Sequence, residues 1–122
     1  MSSYVYQECL EALARGDIDF TKDKFKAMLV GEDQLEVSGL GYSAGGVPVL
    51  VTVVGAAIKL GGFSLDQSTL TARAAIYYRD RGGHLVGMPE MDTLIAYVDF
   101  KKNVSSMDGA FTLTESWIKL GT

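Results

Sequence analysis

In the second half of the chain, two runs of alternating character stand either side of a glycine-bearing break: Leu70-Thr71-Ala72-Arg73-Ala74-Ala75-Ile76-Tyr77-Tyr78 and Thr93-Leu94-Ile95-Ala96-Tyr97-Val98-Asp99-Phe100. Successive side chains of a strand point to opposite faces. Each run therefore makes a ribbon with aliphatic residues on one face and Thr, Arg, Tyr and Asp on the other, as in a half-buried antiparallel strand. This constrains the fold more than any other feature, because a ribbon of this kind needs neighbours on both edges and a core beneath it.

The rest of the chain supplies them. Residues 18–20 and Phe25 to Val30 look like strand material joined by Thr21-Lys22-Asp23-Lys24, and Gly31-Glu32-Asp33-Gln34 reads as an acidic loop. A glycine-dense turn, Leu40 to Val47, leads into a Val-rich strand through Val54; glycine at that density marks positive φ or a close backbone approach. Ala56 to Leu60, Phe63 to Leu65, His84 to Met88, Ala110 to Thr114 and Trp117 to Leu120 complete the set, with Lys101 to Asp108 as a polar loop closed by Gly109. Short strands at near-regular spacing, with turn signals between them, point to a mainly β fold. The expectation is an antiparallel β-sandwich, jelly-roll-like, formed by residues 1–122 as one domain with one N-terminal amphipathic helix over about residues 3–15.

That helix is read from Tyr4 to Ala14, where Val5, Tyr6, Cys9, Leu10, Ala12 and Leu13 share a side opposite Gln7, Glu8 and Glu11. Ser2 or Ser3 is the expected cap, and Arg15-Gly16 the basic last turn and left-handed stop. It is expected to lie across an end or face of the sheet. Cys9, the only cysteine, excludes an intrachain disulfide and is expected to be buried packing.

At 122 residues, 48% hydrophobic and 21% charged, the chain can bury a core without metals or disulfides. Its net charge of −4 argues against a phosphate backbone as partner. The start, Met1-Ser2-Ser3-Tyr4, has no basic and apolar leader pattern. The longest apolar run, Val47 to Ile58, is broken by Pro48, Thr52 and Gly55, so neither membrane nor secretory route is expected.

Residues suited to chemistry are scarce. Gly39-Leu40-Gly41-Tyr42-Ser43-Ala44 lacks the third glycine of a dinucleotide loop, and Pro48 follows where a helix should begin. Gly41-Tyr42-Ser43-Ala44-Gly45 has the Gly-x-Ser-x-Gly spacing of a nucleophile elbow, but a serine hydrolase also needs a His and an acid, and nothing in the sequence singles out that pair. His84, the only histidine, sits in a turn with nothing to orient it as a base and no companions for zinc. The acidic pairs Asp17/Asp19, Glu32/Asp33 and Glu90/Asp92 reproduce no calcium loop. No enzyme activity, cofactor or metal is expected. Arg73 is placed with Thr69, Thr71 and Tyr77 on the polar face of its strand, as a cross-strand ladder or an edge-protecting charge, or else as an interface anchor. With Tyr42, Tyr77, Tyr78 and Tyr97 it leaves open a flat recognition surface. Arg73, Tyr77, Tyr42 and Tyr97 are thus the candidate partner-binding residues, and Arg73→Ala or Tyr77→Ala is expected to weaken assembly with the fold intact.

One order of motifs stands out. A helix ends in Gly16-Asp17-Ile18-Asp19; a strand carries Lys26-Ala27-Met28-Leu29-Val30; then come Val37-Ser38-Gly39-Leu40-Gly41-Tyr42-Ser43-Ala44-Gly45-Gly46-Val47, the Ser68 to Tyr78 strand, Leu94 to Phe100 and Asp108-Gly109-Ala110-Phe111-Thr112-Leu113. Over nearly its whole length the chain resembles the small virion structural proteins of tailed bacteriophages. The resemblance implies a capsid decoration or cement protein that bridges major capsid protein subunits on the virion surface. Such proteins are made in the host cytoplasm and are frequently trimers or dimers. A tail, head-completion or fibre-base part is the alternative, and a carbohydrate-binding host-recognition module the second. The long charged or glycine-rich arm of commoner members is lacking, so no tail threading between capsomers is implied.

Overall fold

A computed structural model describes residues 3–16, 23–32, 35–42, 46–80 and 93–119. The elements are β1 (Tyr4–Val5), α1 (Gln7–Arg15), β2 (Lys24–Val30), β3 (Val47–Val49), β4 (Val51–Val54), β5 (Ala57–Leu60), β6 (Phe63–Asp80), β7 (Thr93–Leu113) and β8 (Ser116–Lys119). They form a five-stranded sheet in the order β1-β7-β6-β2-β3 and a three-stranded sheet in the order β4-β5-β8. Every pairing is antiparallel. The expected mainly β fold is what forms. Val51, Ile58 and Leu60 of the small sheet share one core with Phe25, Leu29, Leu70, Tyr77, Ile95 and Phe111 of the large one, so the two sheets make a sandwich around it.

The helix is shorter than its periodicity suggests. Tyr4 and Val5 pair with Tyr97 and Ala96 as an edge strand, and Tyr6 N–H donates to the Ile95 carbonyl at 2.9 Å. An alternating Tyr-Val-Tyr fits a sheet edge as well as a helix face, and the long β7 offers that edge. Tyr6 stands at the cap position without a capping side chain. Ser3, one of the expected caps, instead accepts from Asp99 N–H at 3.0 Å. The stop is as expected, Gly16 at φ 77 with its N–H closing onto Leu13 O at 3.1 Å. Cys9 and Ala12 face the core, fully buried.

Three tight corners carry the chain between sheets: Leu50, Gly61-Gly62 and Thr114-Glu115. The expected single strand from Val47 to Val54 is thus two strands in different sheets. Gly61 N–H donates to Leu50 O at 2.7 Å and Tyr77 Oη donates to Gly61 O at 2.7 Å, which ties two of the corners together from inside the core.

The greatest departure from the sequence reading is length. Phe63–Leu65 and Leu70–Tyr78, expected as separate strands, are one strand of 18 residues, β6. The expected polar loop 101–108 is the middle of the 21-residue β7. Polar composition there reflects a solvent-facing strand whose irregular pairing absorbs extra residues. Ala72 opposes Val104 and Ala74 opposes Asp99, so Arg73 stands across from Phe100, Lys101, Lys102 and Asn103. Lys101 takes φ 67 and Asp108 φ 52, left-handed values that a bulge requires and that asparagine, aspartate and glycine adopt most readily. The strand expectation at 18–20, the cap Ser2, the Asp17/Asp19 and Glu90/Asp92 pairs, His84 and its segment all lie outside the described residues.

Candidate docking surface

The bulge at Arg73 decides where the predicted site residues go. On β6, Leu70 and Ala72 face the core before the bulge and Ala75 and Tyr77 after it, so the parity of the strand changes at Arg73. Tyr77, expected beside Arg73 on the polar face, is fully buried in the core. Burial lifts its hydroxyl far above the usual tyrosine range. It is no surface residue.

Arg73 itself is partly exposed and bound to a buried partner: its Nε lies 3.4 Å from Asp99 Oδ1. The same oxygen accepts Lys101 N–H at 2.7 Å. These contacts, the Lys101 amide first and Arg73 next, hold the Asp99 carboxyl below its usual range against the opposing effect of burial. Arg73 and Asp99 thus fasten the bulge, close to the ladder role weighed for Arg73.

Tyr97 lies on the opposite face of the large sheet from the core. There it forms a buried satellite cluster with Val30 and Ala74, packed by Tyr6, Met28 and Ile76. Tyr4 stacks on it at 5.3 Å and meets Tyr6 edge-on at 5.2 Å. Tyr42 is half-buried. Its hydroxyl accepts Leu29 N–H at 3.1 Å, substituting for a ladder bond beside β2, and donates to Glu36 Oε2 at 2.6 Å. Burial first, then the bond to Glu36, raises its pKa. The four candidates therefore do not converge on one recognition surface. Three fasten structure at separate places and one is core.

What does converge was missed in the sequence. Leu40 bridges to Thr69 on one side of β6, and Asp108 N–H donates to Thr69 Oγ1 at 2.9 Å from the other. Leu40 is 75% exposed, and Met107, beside Asp108, is 86% exposed. Next along β6, Thr71 and Ser105 share a hydrogen bond of 2.8 Å across the ladder. Thr71 also lines an open cleft of about 540 Å³ with Leu35, Glu36, Val37 and Ser38, in which Leu35 is 66% exposed. Glu32, at the same cleft, accepts from Asn103 Nδ2 at 2.6 Å. Leu35, Leu40 and Met107 thus stand exposed around the Thr69 hydroxyl and the Thr71–Ser105 pair, with Glu32, Glu36 and Asp108 at the margin.

The platform beneath is stiff. Ser68 is buried and hydrogen-bonds Ser106 Oγ at 2.7 Å and Gly109 O at 3.1 Å. Gly39 and Gly41 press so closely on β6 that a Cβ at either would collide with the carbonyl of Thr69 or Gln67. That close approach holds Leu40 out in solvent, and it is the one legible signal for this surface. Met107, inside an expected loop, gave none.

Nothing in this arrangement supplies a nucleophile and base. Cys9 is buried, and desolvation pushes its thiol up to about 11, so it stays protonated at neutral pH. Among the described residues no group of three or more His, Cys, Asp or Glu is placed to hold a metal ion, and no helix is long and apolar enough to cross a membrane. The geometry instead fits contact with a macromolecule, where apolar anchors within a polar margin carry the binding. Comparisons add no assignment: no family model, no curated protein and no solved structure matches the chain.

Proposed function

We propose that the protein is a non-enzymatic virion structural component of a tailed bacteriophage, a decoration or cement protein that binds the outer capsid lattice and bridges major capsid protein subunits. The observation that carries this reading is the surface formed by Leu35, Leu40 and Met107 around Thr69, Thr71 and Ser105, borne on a strand pair braced on both sides. Its acidic margin suits a partner with basic outer loops. A cement protein needs no reaction, only a rigid exterior that contributes modest interface energy per copy, multiplied by the lattice. A rigid antiparallel sandwich would serve. The motif order from Gly16 to Leu113 supports the same reading.

The test is cryo-microscopy of virions of the phage that encodes the chain. Density for this sandwich at every lattice point is expected. A few copies at one vertex would move the protein to the connector or tail, and its absence from the particle would overturn the proposal.

One observation favours a second reading, a carbohydrate-binding module. Lys59 Nζ, paired with Glu115 at 3.2 Å, sits 5.6 Å from the ring of the half-exposed Trp117, beside a cleft of about 280 Å³. A ring flanked by charged hydrogen-bonding groups is a surface on which a sugar can stack. A glycan array with purified protein decides it: saturable binding abolished by Trp117→Ala supports the module, and an empty array removes it.

A further inference from the structure

Among the described residues the two sheets end in four edge strands, and three of them carry a device that discourages pairing with another strand. β1 is two residues long, β3 contains Pro48, which has no N–H to offer, and β8 ends in Lys119. β4 carries none. It is Val51-Thr52-Val53-Val54, within an uncharged stretch from Val47 to Ile58, and three of its four residues are exposed.

The direction of its free backbone groups follows from the register. Val51 opposes Leu60, Thr52 Lys59, Val53 Ile58 and Val54 Ala57. Gly61 N–H donates to Leu50 O, so position 50 belongs to a hydrogen-bonded pair, as then do 52 and 54. Val51 and Val53 therefore turn their N–H and C=O away from β5. Val51 is 1% exposed and its groups are covered, whereas Val53 is 39% exposed and presents both groups at an open edge. Gly55 at φ 61, with no positive φ at Ala56, closes the β4–β5 hairpin in the pattern of a type II′ turn, so nothing bulky stands beyond Val54.

We infer that this edge pairs antiparallel with the β4 edge of a second copy of the chain, about a two-fold axis at Val53. The occupant is a second copy because the strand complements itself. With Val53 opposite its counterpart, Thr52 meets Val54, β-branched against β-branched, and the small Gly55 and Ala56 pass Val51 and Leu50, so size matches as well. Charge points the same way. Two copies at net −4 repel over most of their surfaces, and this stretch lets them meet with no charge facing charge. The contact is isologous and closes at two, joining the small sheets into one of six strands, β8-β5-β4 followed by its mirror order. Two backbone hydrogen bonds and the exposed side chains of Leu50, Val53 and Val54 make it a weak, concentration-dependent dimer. The inference stands apart from the virion reading, since it concerns the isolated protein.

Sedimentation velocity on the purified chain, from low micromolar to about 1 mM, tests it. A monomer–dimer equilibrium is expected. Val53→Pro removes the outward N–H and no bond to β5, so it should give a monomer at concentrations where the parent is mostly dimer, with an unchanged circular dichroism spectrum. Should that variant unfold, Val54→Lys, at a side chain already 56% exposed, should give the same monomer with the fold intact. A parent that stays monomeric throughout, a trimer, or a dimer that survives a folded variant would overturn the inference.

Discussion

At the scale of single residues, Tyr77 shows how one hydroxyl serves two parts of the fold. Its ring fills the core between the sheets, and its Oη satisfies the carbonyl of Gly61 at the corner between β5 and β6. Tyr77→Phe should lower unfolding free energy in urea by about 1 kcal/mol, the worth of one buried hydrogen bond. Tyr77→Ala should cost about 3–5 kcal/mol through the cavity it leaves. Equal effects of the two would show the hydroxyl to be idle. Asp99 governs the response to acid. Its folded pKa lies below the unfolded value, so its contribution is present above the unfolded value of about 3.9 and is lost as pH falls through the folded one. Asp99→Asn should be less stable than the parent at neutral pH and should lose less stability as pH falls below about 4. Parallel stability–pH curves would refute the role. Burial of Cys9 was legible from its helical neighbours; the fate of Tyr77 was not. The alternation around residue 73 is regular in sequence, and only the partner strand reveals that Arg73 stands across from a loop of four side chains in β7.

Elements repeat this pattern. The existence and type of β2, α1, β6 and β7 follow from periodicity, because a face that must be dry is marked residue by residue. Their ends do not. Lys101 to Asp108 reads as a loop because a strand exposed to water has no reason to be apolar, and a left-handed residue within it is invisible when that residue is a lysine. The strain there is testable. A lysine at φ 67 costs about 1 kcal/mol relative to glycine, so Lys101→Gly should leave the Asp99 contact in place and stabilise the protein by up to that amount, read as a rise in urea midpoint. A fall would mean that the Lys101 side chain outweighs its backbone. Gly46 is the opposite case. It sits at φ 101 where a Cβ would collide with the Ala27 carbonyl, so Gly46→Ala should prise β3 from β2 and destabilise by more than about 1 kcal/mol. Here the sequence is a good guide, since glycine was expected to mark just such an approach.

For the whole molecule, the distribution of hydrophobic residues separates stability from assembly. The core draws on both sheets and the helix, whereas Leu35, Leu40 and Met107 are excluded from it and held in solvent by glycine contacts and a bulge. Side chains that contribute no burial to folding can be changed without loss of the fold. Leu40→Asp combined with Met107→Asp should therefore shift the thermal midpoint by no more than about 4 °C, each surface change being worth within about 0.5 kcal/mol. If the proposed lattice role is right, the same pair should abolish rebinding of purified protein to virions stripped of it, measured by pelleting. The acidic margin makes a further demand. If Glu32, Glu36 and Asp108 face basic loops, association of the parent protein should slow as salt rises, while an apolar contact alone would be nearly indifferent to it. Salt-insensitive rebinding with the double variant still inactive would keep the apolar anchors and discard the charge argument. Full rebinding by the double variant would move the docking surface elsewhere on the sandwich.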